Sequence, residues 1–137
     1  VPELRSGAGL LDTSVVIGVA STAYLPSEIS IAAITLAELA SGPHATDDPV
    51  ERGLRQERLQ VIESTFDPLP FDVSCARAYG RVYTLMASSG RKPRGRRAVD
   101  LLIAATAVAN DLPLYTLDAD DVYGIESLLT IVDCSSG

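Results

Sequence analysis

Four acidic residues stand where side chains from distant parts of the chain could do chemistry together: Asp12, Glu38, Asp100 and Asp118. Carboxylates gathered within a few ångströms repel by about 1–4 kcal/mol per pair across effective dielectrics of 80 to 20, so such a group is costly unless a cation neutralises it. An all-oxygen donor set without His or Cys selects magnesium, manganese or calcium. A hard divalent ion on carboxylates supplies what phosphodiester hydrolysis requires: an activated water and a stabilised leaving oxygen. Covalent routes fit poorly. The one histidine, His44, lies in the loop-like stretch SGPHATDD, where no Ser-His or Cys-His pair is evident. Cys75 and Cys134 form no CxxC or Cys/His pattern, which excludes the usual zinc sites.

The elements that must position these acids follow from the pattern of the chain. GAGLLD (7–12) reads as a buried strand ending at Asp12, and TSVVIGVA as a turn into a helix. EISIAAI (28–34) suits a second strand, and TLAELAS (35–41) a helix stopped by Gly42-Pro43. Val50, Leu54, Val61 and Ile62 recur at helical spacing among charges, predicting an amphipathic helix from Pro49 to Ser64. PLPF (68–71) is a short extended piece, and Asp72 caps a helix carrying Ala76, Tyr79, Val82, Tyr83 and Met86. SSGRKPRGRR (88–97) reads as a polar loop and AVDLLIAATAVAND (98–111) as a buried helix. LPLYTL (112–117) and LLTIVD (128–133) complete five extended segments. Strands alternating with helices imply an α/β fold: a doubly wound, mainly parallel five-stranded sheet with helices on both faces. Ligands of such sheets bind beyond the carboxyl ends of the strands, where all four acids are expected.

Each acid also has an ordinary structural reading. Glu38 completes a capping box with Thr35, Asp12 and Asp100 are helix N-caps, and Asp118 belongs to a turn with Asp120 and Asp121. Convergence at one sheet edge is what sets the metal reading apart from these.

The bulk properties bound the rest. At 137 residues the chain is expected to form a single domain over 1–137, with about 1–8 a flexible N-terminal extension. The apolar run at 101–109 is far short of the ~20 residues of a membrane span, and no charged-then-apolar leader is seen, so a cytoplasmic protein is expected. Net charge is −7, yet Arg91, Lys92, Arg94, Arg96 and Arg97 place five of eleven basic residues in seven positions, leaving −12 on the remainder. Beside an acidic pocket, that segment offers Arg94, Arg96 and Arg97 as partners for the phosphates of RNA.

The same residues carry a resemblance. Leu11-Asp12-Thr13-Ser14 resembles the opening motif of PIN domains, Thr35-Leu36-Ala37-Glu38-Leu39 their second, and Asp100-Leu101-Leu102-Ile103-Ala104-Ala105-Thr106-Ala107 their third. Tyr115-Thr116-Leu117-Asp118-Ala119-Asp120-Asp121 resembles the fourth. The order and spacing are most similar to VapC-type toxins of toxin–antitoxin pairs, over about Leu11 to Asp133. The resemblance implies a PIN-like fold and an endoribonuclease dependent on Mg2+ (or Mn2+), with metal-site acids at Asp12, Glu38, Asp100 and Asp118 and Thr116 as a polar neighbour. It also implies a homodimer, alone or in a higher assembly with an inhibitory VapB-like antitoxin. Two packing positions depart from the pattern: Leu102, where many relatives carry an aromatic, and Val122, where Phe is usual. A PIN nuclease of RNA processing without an antitoxin and a non-catalytic PIN-fold binding module are the alternatives. Receiver, dehalogenase-type phosphatase and dinucleotide-binding readings each lack a required group: Lys92 is the only lysine, Ser14 stands where a second Asp is needed, and DTSVVIG has no GxGxxG.

Overall fold

A computed structural model describes residues 5–18 and 25–135. Strand β1 (Arg5–Leu11) leads into helix α1 (Thr13–Ile17), strand β2 (Pro26–Ile31) and helix α2 (Ala33–Ser41). A 3-10 turn over Gly42–Ala45 holds His44, exposed as a loop residue, and precedes helix α3 (Pro49–Thr65). Helices α4 (Val73–Ser88) and α5 (Arg96–Ala109) lead to strand β3 (Leu114–Thr116), a 3-10 turn over Ala119–Val122, and strand β4 (Ile131–Asp133).

All pairings are parallel, in the order β2-β1-β3-β4. Side chains alternate across the sheet with a period of two. Leu10 and Leu114 enter a core with Ala78, Val82 and Met86 of α4 and Leu101, Ile103 and Ala104 of α5. Leu11 and Tyr115 enter the opposite core with Val15 of α1. Helical residues thus cover both faces. At the centre the Tyr115 ring of β3 lies over Gly9 of β1, where an added Cβ would clash with it.

Several expectations are corrected. The sheet has four strands among the described residues, not five. The 68–71 segment adds a single parallel bridge, Leu69 to Ala32, and the missing N–H groups of Pro68 and Pro70 lie on the side away from β2, as suits an edge. That bridge also moves the start of α2. Leu69 accepts the Ala33 amide at 2.8 Å and donates to Ile31 at 2.9 Å, so the second strand stops at Ile31 and the helix begins two residues early. Residues 5–8, expected in a flexible extension, lie at the start of β1, while 1–4 lie outside the described residues. The end of TSVVIGVA also lies outside them. On α3, Val50, Leu54 and Val61 are exposed and Leu59 is buried instead, so the expected apolar face opens to solvent. Arg96 and Arg97, expected in the polar loop, form the first turn of α5.

Candidate metal centre

The strand order reverses between β1 and β3, and Asp12 and Asp118 follow the carboxyl ends of those two strands. Asp12 is held hard. Its backbone N–H donates to the Tyr115 carbonyl at 3.0 Å. Its Oδ1 accepts the Val15 amide at 3.2 Å, capping α1, and the Ser14 hydroxyl at 2.6 Å. The Ser14 Oγ in turn accepts the Leu117 amide at 2.9 Å. Thr116, almost fully buried, repeats the device: its Oγ1 accepts the Asp118 amide at 2.9 Å and its hydroxyl supports the Asp12 carboxylate. Burial raises the Asp12 pKa; the Ser14, Thr116 and Val15 hydrogen bonds oppose this and the Asp118 charge adds to it.

Glu38 is not part of a capping box. The helix start at Ala33 puts Thr35 inside the first turn and Glu38 in the second, and the N-cap, Ala32, has no side-chain hydrogen bond. Glu38 Oε1 instead accepts a short hydrogen bond from the Thr13 hydroxyl. Thr13 Oγ1 lies 3.1 Å from the Oγ1 of the fully buried Thr35. Since a hydroxyl has one hydrogen to give, Thr35 donates to Thr13 and Thr13 to Glu38.

Asp100 is one turn inside α5 rather than at its N-cap, which is Gly95. Its pKa is pushed up to about 7, first by burial and then by the charges of Asp12, Asp121 and Glu38, with Arg96 pulling the other way. Asp100 therefore shares an electrostatic field with two of the other predicted acids and with Asp121. Asp118 is half-exposed, accepts a hydrogen bond from Arg96 Nη2 at 3.5 Å, and faces a cavity of about 300 Å³ shared with Asp120, Asp121 and Asp133.

Among the described residues, no three acidic, His or Cys side chains stand close enough in their present rotamers to hold one ion. The donor set fits a hard divalent cation by its chemistry and by the mutual repulsion at Asp100. Of the basic segment, Arg94 and Arg96 are exposed. Arg97 turns inward, donating from Nη1 to the Lys92 carbonyl at 3.3 Å, with an enclosed Nε that finds no partner among the described residues. Sequence reasoning gives Ser14 and Thr13 no role. The available signal is positional: a hydroxyl residue close after an acid at a strand end.

A parallel sheet with acids at its switch point agrees with the PIN resemblance, and the family is settled by comparison. Residues 10–124 match the PIN domain, and the chain belongs to that family. Within it, the chain is 39% identical over 122 residues to the ribonuclease VapC5 of Mycobacterium tuberculosis, spanning 82% of this chain and 84% of the relative. It is 32% identical over 117 residues to the ribonuclease VapC4 of the same organism, spanning 81% and 86%. The fold matches a crystal structure of VapBC-5 from Mycobacterium tuberculosis, described as a member of the VapBC family of toxin–antitoxin systems. The TM-score is 0.79 at 35% identity, over 90% of this chain and 94% of the other.

Proposed function

We propose that this chain is the toxin of a type II toxin–antitoxin pair, an endoribonuclease that hydrolyses RNA phosphodiester bonds and is inhibited by a cognate VapB-like antitoxin. The observation that carries the reading is the match to the PIN domain and to VapC ribonucleases, with Asp100 set in the field of neighbouring acids. On a PIN fold similar to VapC ribonucleases, its pKa is driven to about 7 by burial and by neighbouring acids that a cation would neutralise. The processing nuclease and the inert binding module draw no support from these relatives.

Asp12, Glu38, Asp100 and Asp118 would hold magnesium or manganese, with Asp121 at hand beside Asp100. A bound ion of this kind supplies Lewis acidity toward the phosphate and its attacking water. The protein's own residues do the positioning. Ser14, Thr116 and the Val15 amide fix one face of Asp12, and Thr13 fixes Glu38. Arg94 and Arg96 hold flanking phosphates, while Arg97 braces the loop that carries them. The chain acts as one domain and as a homodimer, and the exposed Val50, Leu54 and Val61 of α3 offer apolar surface to antitoxin or second subunit. No helix among the described residues is long and apolar enough to cross a membrane, in keeping with the cytoplasmic setting we propose.

Purified protein is expected to cut RNA with magnesium or manganese and to stop with EDTA. Asp12→Asn and Asp100→Asn each abolish cleavage while circular dichroism shows the fold intact. Undiminished cutting by a folded double variant refutes the assignment.

A further inference from the structure

Between the C-terminal half of α4 and the loop that leads to α5 lies a groove that the cleavage chemistry does not use. It encloses about 480 Å³ and is lined by Tyr83, Ala87, Arg91, Lys92, Pro93 and Arg94 among others. Three of the chain's eleven basic side chains line it and no acidic one does, on a protein of net charge −7. Tyr83 is 46% exposed, a large aromatic surface left in solvent at the groove, and it rests on Tyr79 with ring centroids 6.2 Å apart. Arg91 ties the groove wall to the turn that follows Asp118, donating from Nη1 to the Tyr123 carbonyl at 3.0 Å. From Arg94 the chain enters α5 within two residues, and Asp100 lies one turn further on.

An exposed ring beside cations is how proteins hold single-stranded nucleic acid: the ring stacks on a base and the cations take its phosphates. A second copy of this chain docked about a symmetry axis here would set three cations against three. Paired RNA buries its bases in the stack and offers none to Tyr83.

We propose that this groove is a substrate subsite, in which Tyr83 stacks on an unpaired base of the RNA while Lys92 and Arg94 hold the phosphates on either side of it. The subsite rests on the ribonuclease reading and extends the substrate path from the acids along the loop before α5.

The test uses the Asp100→Asn protein, which binds without cutting, and a short fluorescein-labelled single-stranded RNA followed by anisotropy, with the same sequence as a duplex in parallel. Tyr83→Ala is expected to weaken single-strand binding about tenfold and Tyr83→Phe to preserve it, with duplex binding unchanged. Lys92→Ala with Arg94→Ala is expected to lower the salt dependence of single-strand binding. Binding by a folded Tyr83→Ala protein equal to its parent overturns the proposal. So does an equal loss on the duplex, or a change of mass in light scattering, which would make Tyr83 an interface residue. Cleavage by the unaltered protein, measured alongside, separates the two levels. A protein that cuts RNA while Tyr83→Ala has no effect loses the subsite alone; one that neither cuts nor binds RNA loses the ribonuclease reading as well.

Discussion

The Ser14 hydroxyl joins the ends of β1 and β3: it donates to Asp12 Oδ1 at 2.6 Å and accepts the amide of Leu117, 103 residues on, at 2.9 Å. With one oxygen of Asp12 committed to Ser14 and Val15, the carboxylate has little freedom to turn. Ser14→Ala removes this brace and strands the Leu117 amide. It should lower stability to urea by about 1.5–3 kcal/mol, the range for hydrogen bonds to charged groups. It should also weaken manganese binding, read by calorimetry. Ser14→Thr restores both if the hydroxyl is what matters.

The Thr13 hydroxyl does for Glu38 what Ser14 does for Asp12. Thr13→Val keeps the shape and deletes the relay from Thr35. Residues that orient metal ligands are worth about 10–100-fold in affinity. A loss of manganese affinity of about tenfold is expected, with the far-ultraviolet dichroism unchanged. Equal affinity in the two proteins removes Thr13 from the site.

Asp100 gives a pH signature. Its carboxyl titrates near its usual pKa of 3.8 when unfolded and at about 7 when folded, so between these values the folded state binds more protons. Stability in EDTA should therefore be fullest below about pH 4 as far as this group is concerned, and be lost as pH rises through 7. Asp100→Asn should flatten that decline and raise the melting temperature at pH 8. Metal must displace the proton, so at limiting magnesium cleavage should fall about tenfold per pH unit below 7.

Neutralising Arg94, Arg96 and Arg97 together should weaken RNA binding and flatten its dependence on salt. The log–log slope on a single strand should fall by about 0.7 for each phosphate that no longer meets a cation. Taken singly, Arg94→Ala is the cleanest variant. Arg96 also pairs with Asp118, and Arg97 also holds the loop. An unchanged slope in the triple variant discards the loop as a phosphate-binding element.

Gly9→Ala tests the packing beneath the site. The added methyl would overlap Tyr115 Cε1, and Tyr115 is buried against α1 with no easy retreat. Overpacking of this kind costs about 1–3 kcal/mol, measurable as a lower urea midpoint.

The acids are legible in the sequence because each stands at a change of pattern, where an apolar run stops or a helix starts. The alternation of strands and helices points to the parallel sheet for the same reason. The start of α2 is not legible. Ile31 to Thr35 is rich in β-branched residues, and only the Leu69 carbonyl, some thirty-five residues on, accepts the Ala33 amide and turns the chain into a helix. The face of α3 misleads too, since helical spacing of Val50, Leu54 and Val61 says nothing of whether a neighbour covers them. Nor can spacing show that Ser14 and Thr116 both serve Asp12. That depends on β3 lying beside β1, a long-range pairing.

That pairing bears on the order in which the molecule is made. Strand β1 leaves the ribosome well before β3 and the Leu117 amide do. A nascent chain stopped before Leu114 can pair β1 with β2 but lacks Thr116, Asp118 and the brace on Ser14. The machinery that synthesises this protein therefore meets no complete set of the four acids until Asp118 has been added.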